Sequence, residues 1–365
     1  MPPMRVVTLS GSPYEMGRQH GAAYAGQIRE LAEERIELSG TEKWAGRVVP
    51  RAEIMALGEA CLALHQAYAP ELMDELRGIS DVTGVGLPEL VILNGFTDFI
   101  DVVYNARAEK VARPAHPAAD NCTAFIVSAE AAAEGHGFFG QTWDMHATAT
   151  PFVVLLHGQP AGGLRFLTLT IIGCVGMIGM NEAGIAIGIN NLMSGDGQVG
   201  VTWPFVVRKV LAQDNLDDAL ACITSATLSG GHNYLLADAS GRGFNVEAMS
   251  TRCEVTEVTD GSLVHTNHCL AGCNIDVERE RLPESRLSSV TRLSRAEQML
   301  RPGRITLDDL FALTRDHGAS SGICVHPTAP LYMESCAATI MRPATGEMWA
   351  TWGPPCQNAY ERFVV

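Results

Sequence analysis

The hydrophobic period of this 365-residue chain changes at Cys122. Before it, apolar and small residues recur at helical spacing over Met16 to Leu38 and from about Arg51 to Val82, and again from Leu87. Ser12-Pro13-Tyr14-Glu15 places a capping serine, a proline at the first helical position and a glutamate at the third, so a helix should start there. A break is expected at Pro70 and a stop at Gly84 and Gly86. After Cys122, short apolar or alternating runs (124–128, 137–142, 152–157, 165–172, 175–180, 185–190) read as strands joined by turns. Helical spacing returns over 203–213 and 216–224. Strands follow over 233–238, 244–249, 253–258 and 263–268, then helices over 285–299 and 307–314 and a closing hairpin of 335–341 with 347–351. Runs of strands and runs of helices, without regular alternation, predict an α+β layered fold with antiparallel sheets.

Lys and Arg number 26 against 41 Asp and Glu, a net charge of −15, and no basic run is interleaved with aromatics. Nucleic acid is therefore not an expected partner. Leu164 to Met180 is the most apolar stretch, but Gly173, Gly176, Gly179, Thr168 and Thr170 interrupt it, which predicts two buried strands with a turn and no membrane insertion. The spacing of those glycines is not that of a dinucleotide-binding loop. Met1 to Ser10 lack a charged leader ahead of an apolar core, so no secretory signal is expected. Ten scattered cysteines without a repeating framework read as reduced thiols, which predicts a cytoplasmic protein.

Cys122 and Thr123 head the first apolar run, and a loose Ala- and Pro-containing segment from Asn105 to Asp120 precedes them. A buried structural cysteine is the plainer reading of that residue alone. The functional reading starts from a backbone cut between Asn121 and Cys122. Cys122 would then carry its nucleophile and its base on one residue, because an α-amine with a pKa of about 7.7 to 8.0 can accept the proton of a thiol near 8.5.

Five short stretches, in order, support the functional reading: Tyr14-Glu15-Met16-Gly17-Arg18-Gln19-His20-Gly21, Asn121-Cys122-Thr123-Ala124-Phe125, Gly140-Gln141-Thr142-Trp143-Asp144, His265-Thr266-Asn267-His268 and Trp352-Gly353-Pro354-Pro355-Cys356. Together they resemble the acyl-coenzyme A:6-aminopenicillanic acid acyltransferase family of N-terminal nucleophile hydrolases. The resemblance implies a four-layer αββα fold. It also implies a precursor that cuts itself at Asn121-Cys122 into a helical segment, 1–121, and a catalytic segment, 122–365, which stay packed as one unit. It assigns Cys122 as nucleophile, Asp144 as the strand aspartate that orients the new ammonium group, and Asn267 as an oxyanion donor; such a donor is worth on the order of 3 to 4 kcal/mol.

Two positions depart from the pattern: Asn121 where relatives often have glycine, and Val325, in Gly322-Ile323-Cys324-Val325-His326, where they often have arginine. Loss of that cation removes a partner for a substrate carboxylate and makes penicillin an unexpected substrate. Arg286 is a possible replacement, although an exposed arginine at a helix start is its simpler reading. Trp143, His268 and Arg286 are the candidate substrate contacts. His265, His268, Cys269 and Cys273 are close enough to suggest zinc, but no paired Cys-x-x-Cys is present and a strand would put the two histidines on opposite faces, so no metal and no cofactor is expected. The expected activity is hydrolysis of a linear or lactam-adjacent amide of a small acyl-amino compound. Acyl transfer from acyl-coenzyme A or an amide to an amine is the first alternative, and a catalytically silent binding protein the second.

Overall fold

The computed structural model describes residues 3–105, 121–300, 304–318, 321–328 and 332–365. The loose segment read between Asn105 and Asp120 lies, apart from Asn105 itself, outside them. Strand β1 (Val6–Gly11) leads into α1 (Pro13–Ser39), where Ser12 and Glu15 form the expected capping box. Helices α2 (Glu42–Ala45), α3 (Arg51–Tyr68), α4 (Pro70–Thr83), α5 (Leu87–Leu93) and α6 (Phe96–Asn105) complete the helical segment. The second segment opens with β2 (Thr123–Val127), β3 (Phe138–His146), β4 (Val153–Pro160), β5 (Phe166–Ile171), β6 (Ile178–Asn181) and β7 (Ala186–Leu192). It continues through α7 (Trp203–Val210), α8 (Leu216–Thr224), β8 (Gly231–Ala237), β9 (Gly243–Ala248), β10 (Cys253–Val258), β11 (Ser262–His265) and α9 (Gly272–Ile275). Helices α10 (Pro283–Met299) and α11 (Leu307–Thr314) precede β12 (Met333–Arg342), β13 (Glu347–Trp352) and β14 (Glu361–Val364).

The strands form two sheets, ordered β1-β4-β5-β6-β7-β8-β9-β10 and β11-β2-β3-β12-β13-β14. Their inner faces meet: the side-chain amide of Gln141 on β3 donates to the carbonyl of Ile189 on β7 and accepts its N–H at 3.0 Å. Helices α1, α7 and α8 contact the larger sheet, and α10 and α11 the smaller, which gives the αββα layering. Among the described residues the strand pairings within the two sheets are antiparallel except β1 with β4 at the sheet edge, a parallel pair that an all-antiparallel reading does not anticipate. The apolar stretch from Leu164 to Met180 forms β5 and most of β6, and among the described residues no helix is long and apolar enough to cross a membrane. The expected strand at 263–268 ends at His265. Thr266, Asn267 and His268 lie beyond it, so strand alternation does not govern the two histidines.

Two buried ion pairs fasten the helical segment to the sandwich. Glu75 on α4 meets Arg208 on α7 at 2.9 Å, and Asp101 on α6 meets Arg279 at 2.7 Å. Burial pushes the Asp101 carboxyl up to about 6 even with Arg279 beside it. Breaking such a pair strands a charge in the interior. Helices α1 and α4 cross at backbone distance: a Cβ on Gly17 would lie 1.9 Å from the Glu75 carbonyl oxygen, and one on Gly78 2.2 Å from that of Tyr14. Alanine favours a helix interior by about 1 kcal/mol over glycine, but separating the two backbones costs more. Gly78→Ala is expected to lower unfolding stability by about 2 to 3 kcal/mol, read as a lower urea midpoint at unchanged slope. An unchanged midpoint would contradict this packing.

Candidate active site

Cys122 immediately precedes β2, a strand buried along its whole length between β11 and β3 in the smaller sheet. The residue itself is 1% exposed. Its sulfur faces the backbone of Asp144 on the neighbouring β3: the Asp144 N–H donates to Sγ at 3.4 Å, and the thiol points to the Asp144 carbonyl at 3.7 Å. The register pairs Thr123 with Thr142, and the Asp144 side chain is fully buried one step along from Trp143.

The Cys122 carbonyl oxygen is held by two side chains, Asn190 Nδ2 of β7 at 3.2 Å and Arg292 Nη1 of α10 at 2.7 Å. The same Arg292 donates to Thr123 Oγ1 at 2.9 Å and to Asn267 Oδ1 at 3.1 Å. Because a guanidinium only donates, this contact turns the Asn267 carbonyl oxygen towards Arg292 and its NH2 group the other way, where one N–H reaches the Asn191 carbonyl at 3.2 Å. Asn267 is therefore fixed as a donor with a second N–H available. The loop that carries it is tied at both ends. Its N–H donates to Ser289 Oγ on α10, and the Glu247 carboxylate accepts from His265 Nε2, Leu270 N and Ala271 N.

The remaining candidates fall into two groups. Trp143 is buried and lines a small, mostly apolar cavity of about 30 Å³ together with Phe96, Met145, Met177 and Trp203, with Arg35, Asn94 and Thr97 as its polar residues. Arg35 bonds His146, whose imidazole burial pushes down to about 2 with the cation beside it, so the histidine accepts as a neutral base. His268 is buried against Ser289 Oγ at 2.7 Å, and burial lowers it to about 3. Arg286 is half-exposed and paired with Glu278 at 3.0 Å; among the described residues, Arg292, six residues further along α10, is the cation that reaches Cys122. The four residues weighed as zinc ligands have separate partners: His265 meets Glu247, His268 meets Ser289, Cys269 meets Met249 and Cys273 meets Glu254.

Arg292 and Asn190 escape sequence reasoning. The only signal for Arg292 is the series Ser285, Ser289, Arg292, Ala296, one buried face of a helix whose Leu287 and Val290 are exposed. For Asn190 it is a pair of asparagines closing an apolar run.

The sequence model of the acyl-coenzyme A:6-aminopenicillanic acid acyl-transferase family matches residues 131–357, more than half of the chain, beginning nine residues after Cys122 and including Asp144 and Asn267. Over 269 residues the chain is 26% identical to the 40 kDa form of acyl-coenzyme A:6-aminopenicillanic-acid-acyltransferase of Emericella nidulans, covering 72% of this chain and 69% of that protein. It is 28% identical over 255 residues to an uncharacterized protein of Archaeoglobus fulgidus, spanning 64% of this chain but only 41% of the relative. Among solved structures, a mutant of the conjugated bile acid hydrolase of Clostridium perfringens aligns with TM-score 0.42 at 11% identity, covering 67% of this chain and 97% of that one. Penicillin V acylase of Agrobacterium tumefaciens aligns with TM-score 0.43 at 14% identity, covering 63% and 82%.

Proposed function

The chain belongs to the acyl-coenzyme A:6-aminopenicillanic acid acyl-transferase family, and from that premise we propose that it is a cysteine amidohydrolase that activates itself by cutting before Cys122. The observation that carries this reading is the bridge of Arg292, which joins the carbonyl of Cys122 to the side chain of Asn267 while the sulfur sits against Asp144. A residue of purely structural use at a strand start has no need of that arrangement.

In the precursor, Sγ attacks the Asn121 carbonyl carbon and the peptide C–N bond breaks as the Cys122 nitrogen takes a proton. The resulting thioester is hydrolysed to a carboxylate on Asn121, a free thiol and a free amine. The helical segment stays anchored through Glu75–Arg208 and Asp101–Arg279. In turnover the Cys122 amine takes the thiol proton, and sulfur attacks a substrate amide carbon. The oxyanion is held by the second N–H of Asn267, and Asp144 orients the ammonium. Collapse returns the proton to the leaving amine and leaves an acyl-thioester, which water releases as the free acid.

By the register that pairs Thr123 with Thr142, Cys122 and Trp143 project from the same face of the sheet. The cavity beside Trp143 is therefore the proposed acyl pocket; with room for about one water as it stands, it has to widen before an acyl chain can enter. Intact mass under denaturing conditions, with a panel of small acyl-amides assayed with and without acyl-coenzyme A and an amine acceptor, tests the proposal. Expected are two fragments meeting between Asn121 and Cys122, free acid as product, and an acyl adduct on Cys122 when the reaction is quenched in acid. Product that appears only as a new amide, and only with acyl-coenzyme A present, would replace hydrolysis by transfer. An uncleaved chain without thioester would end both readings.

A further inference from the structure

Far along the chain from Cys122, the ligand atoms of His317, Cys324, His326 and Cys356 all lie within 4.8 Å of one another. The two imidazole Nε2 atoms are 3.0 Å apart, and Nε2 of His326 is 3.9 Å from Cys324 Sγ and 3.3 Å from Cys356 Sγ. Zinc bound tetrahedrally, at about 2.0 to 2.1 Å to nitrogen and about 2.3 Å to sulfur, requires ligand separations of roughly 3.3 to 3.8 Å. The geometry points to a structural zinc site of composition Cys2His2, formed by three chain segments that meet beside β12. With four protein ligands no position is left for water or substrate, which marks the site as a clasp rather than a catalytic centre.

The surroundings hold these donors in place without a metal's help. Cys324 N–H donates to the Asp316 carbonyl at 2.9 Å, and Val325 exchanges bonds with Ser335, its N–H to Oγ at 2.9 Å and its carbonyl from the Ser335 N–H at 3.0 Å. Arg315 reaches the Pro355 carbonyl at 3.0 Å, and Gly353 N–H reaches Cys336 at 2.8 Å, which brings the segment of Cys356 alongside. The return of the loop from His317 to Cys324 depends on Gly322, where a Cβ would come within 2.6 Å of the His317 backbone. Binding Zn2+ would release two thiol protons to solvent and give a neutral unit of two thiolates and two neutral imidazoles. Ser335 pairs with Asp144 in the sheet, so the clasp would pin the strand end next to the candidate nucleophile. The site does not depend on how Cys122 is read.

The test uses the full chain, stripped with a chelator under reducing conditions and titrated with zinc alone, then with cobalt. Expected are uptake of one zinc per chain, a cobalt spectrum with thiolate charge-transfer and tetrahedral d–d bands, and a melting temperature about 5 °C or more lower in the stripped protein. A Cys324→Ser, Cys356→Ser double variant should lose the bound zinc, whereas Cys273→Ser should keep it. Equal uptake by the double variant would overturn the site, as would folded wild-type protein that takes up no zinc after reduction, including one isolated with a Cys324–Cys356 disulfide. If the double variant fails to fold, the wild-type cobalt spectrum decides, since an octahedral, thiolate-free spectrum also overturns it.

Discussion

Cys122→Ala should yield one uncut polypeptide of 365 residues with no amidase activity above background. Removing the nucleophile of a group that acts as a unit lowers turnover by about 10⁴-fold or more, and the same sulfur is needed for cleavage and for catalysis. The fold should survive, because Cys122 adds only a small buried side chain at the head of a strand paired with β3 and β11 along its length. Cys122→Ser separates the two steps. A hydroxyl at the same place can still attack the Asn121 carbonyl slowly, so partial cleavage with little turnover is expected. The decisive measurement is intact mass after incubation at neutral pH: a Cys122→Ala chain that still splits between residues 121 and 122 would remove the thiol from the mechanism.

The sequence exposed the parts of this architecture that depend on apolar pattern and left out those that depend on long-range polar contact. The capping box at Ser12, the break at Pro70 and helix α8 at Leu216–Thr224 appear where local chemistry puts them. So do strands β2 and β10, because period and turn residues are local signals. Strand β14 did not appear: Glu-Arg-Phe-Val is too short and too mixed to read as a strand, and it exists only because it pairs with β13. The candidate site divides in the same way. Cys122, Asp144 and Asn267 lie in short recognisable motifs. Arg292 and Asn190 sit inside a helix and a strand whose local pattern gives no hint that a guanidinium and an amide converge on one carbonyl 170 and 68 residues away. Val325 drew attention to a missing cation and Arg286 to a possible replacement; Arg292, on the same helix, is the arginine that reaches the Cys122 carbonyl. Of the cluster of His317, Cys324, His326 and Cys356, three members lay in two separate motifs and His317 in none, since the fourth member lies 30 residues beyond the third.

Arg292→Leu is expected to lose both stability and function. Its guanidinium is 0% exposed and donates to Cys122 O, Thr123 Oγ1, Asn267 Oδ1 and, at 3.3 Å, Ser288 Oγ. Leucine removes a donor from each, leaving the Cys122 carbonyl with only Asn190 among the contacts above, and each hydrogen bond to a charged group is worth about 1.5 to 3 kcal/mol. Repacking and water recover part of that, so a net loss of about 3 kcal/mol on urea unfolding is expected. The functional loss has a different cause. Without Arg292 the amide of Asn267 can rotate and present its carbonyl oxygen where the oxyanion forms, which should lower kcat by about 10² to 10³-fold with a smaller change in KM. Arg292→Lys keeps the charge but has one nitrogen in place of a fork, so it should recover more stability than turnover. Combining each variant with Asn267→Ala gives a cycle whose coupling in kcat should reach about 1 to 3 kcal/mol if Arg292 acts as a positioning residue through Asn267. Additive losses in the double variant, or an Arg292→Leu enzyme that cleaves itself and turns over at the wild-type rate, would show that the guanidinium serves the fold alone.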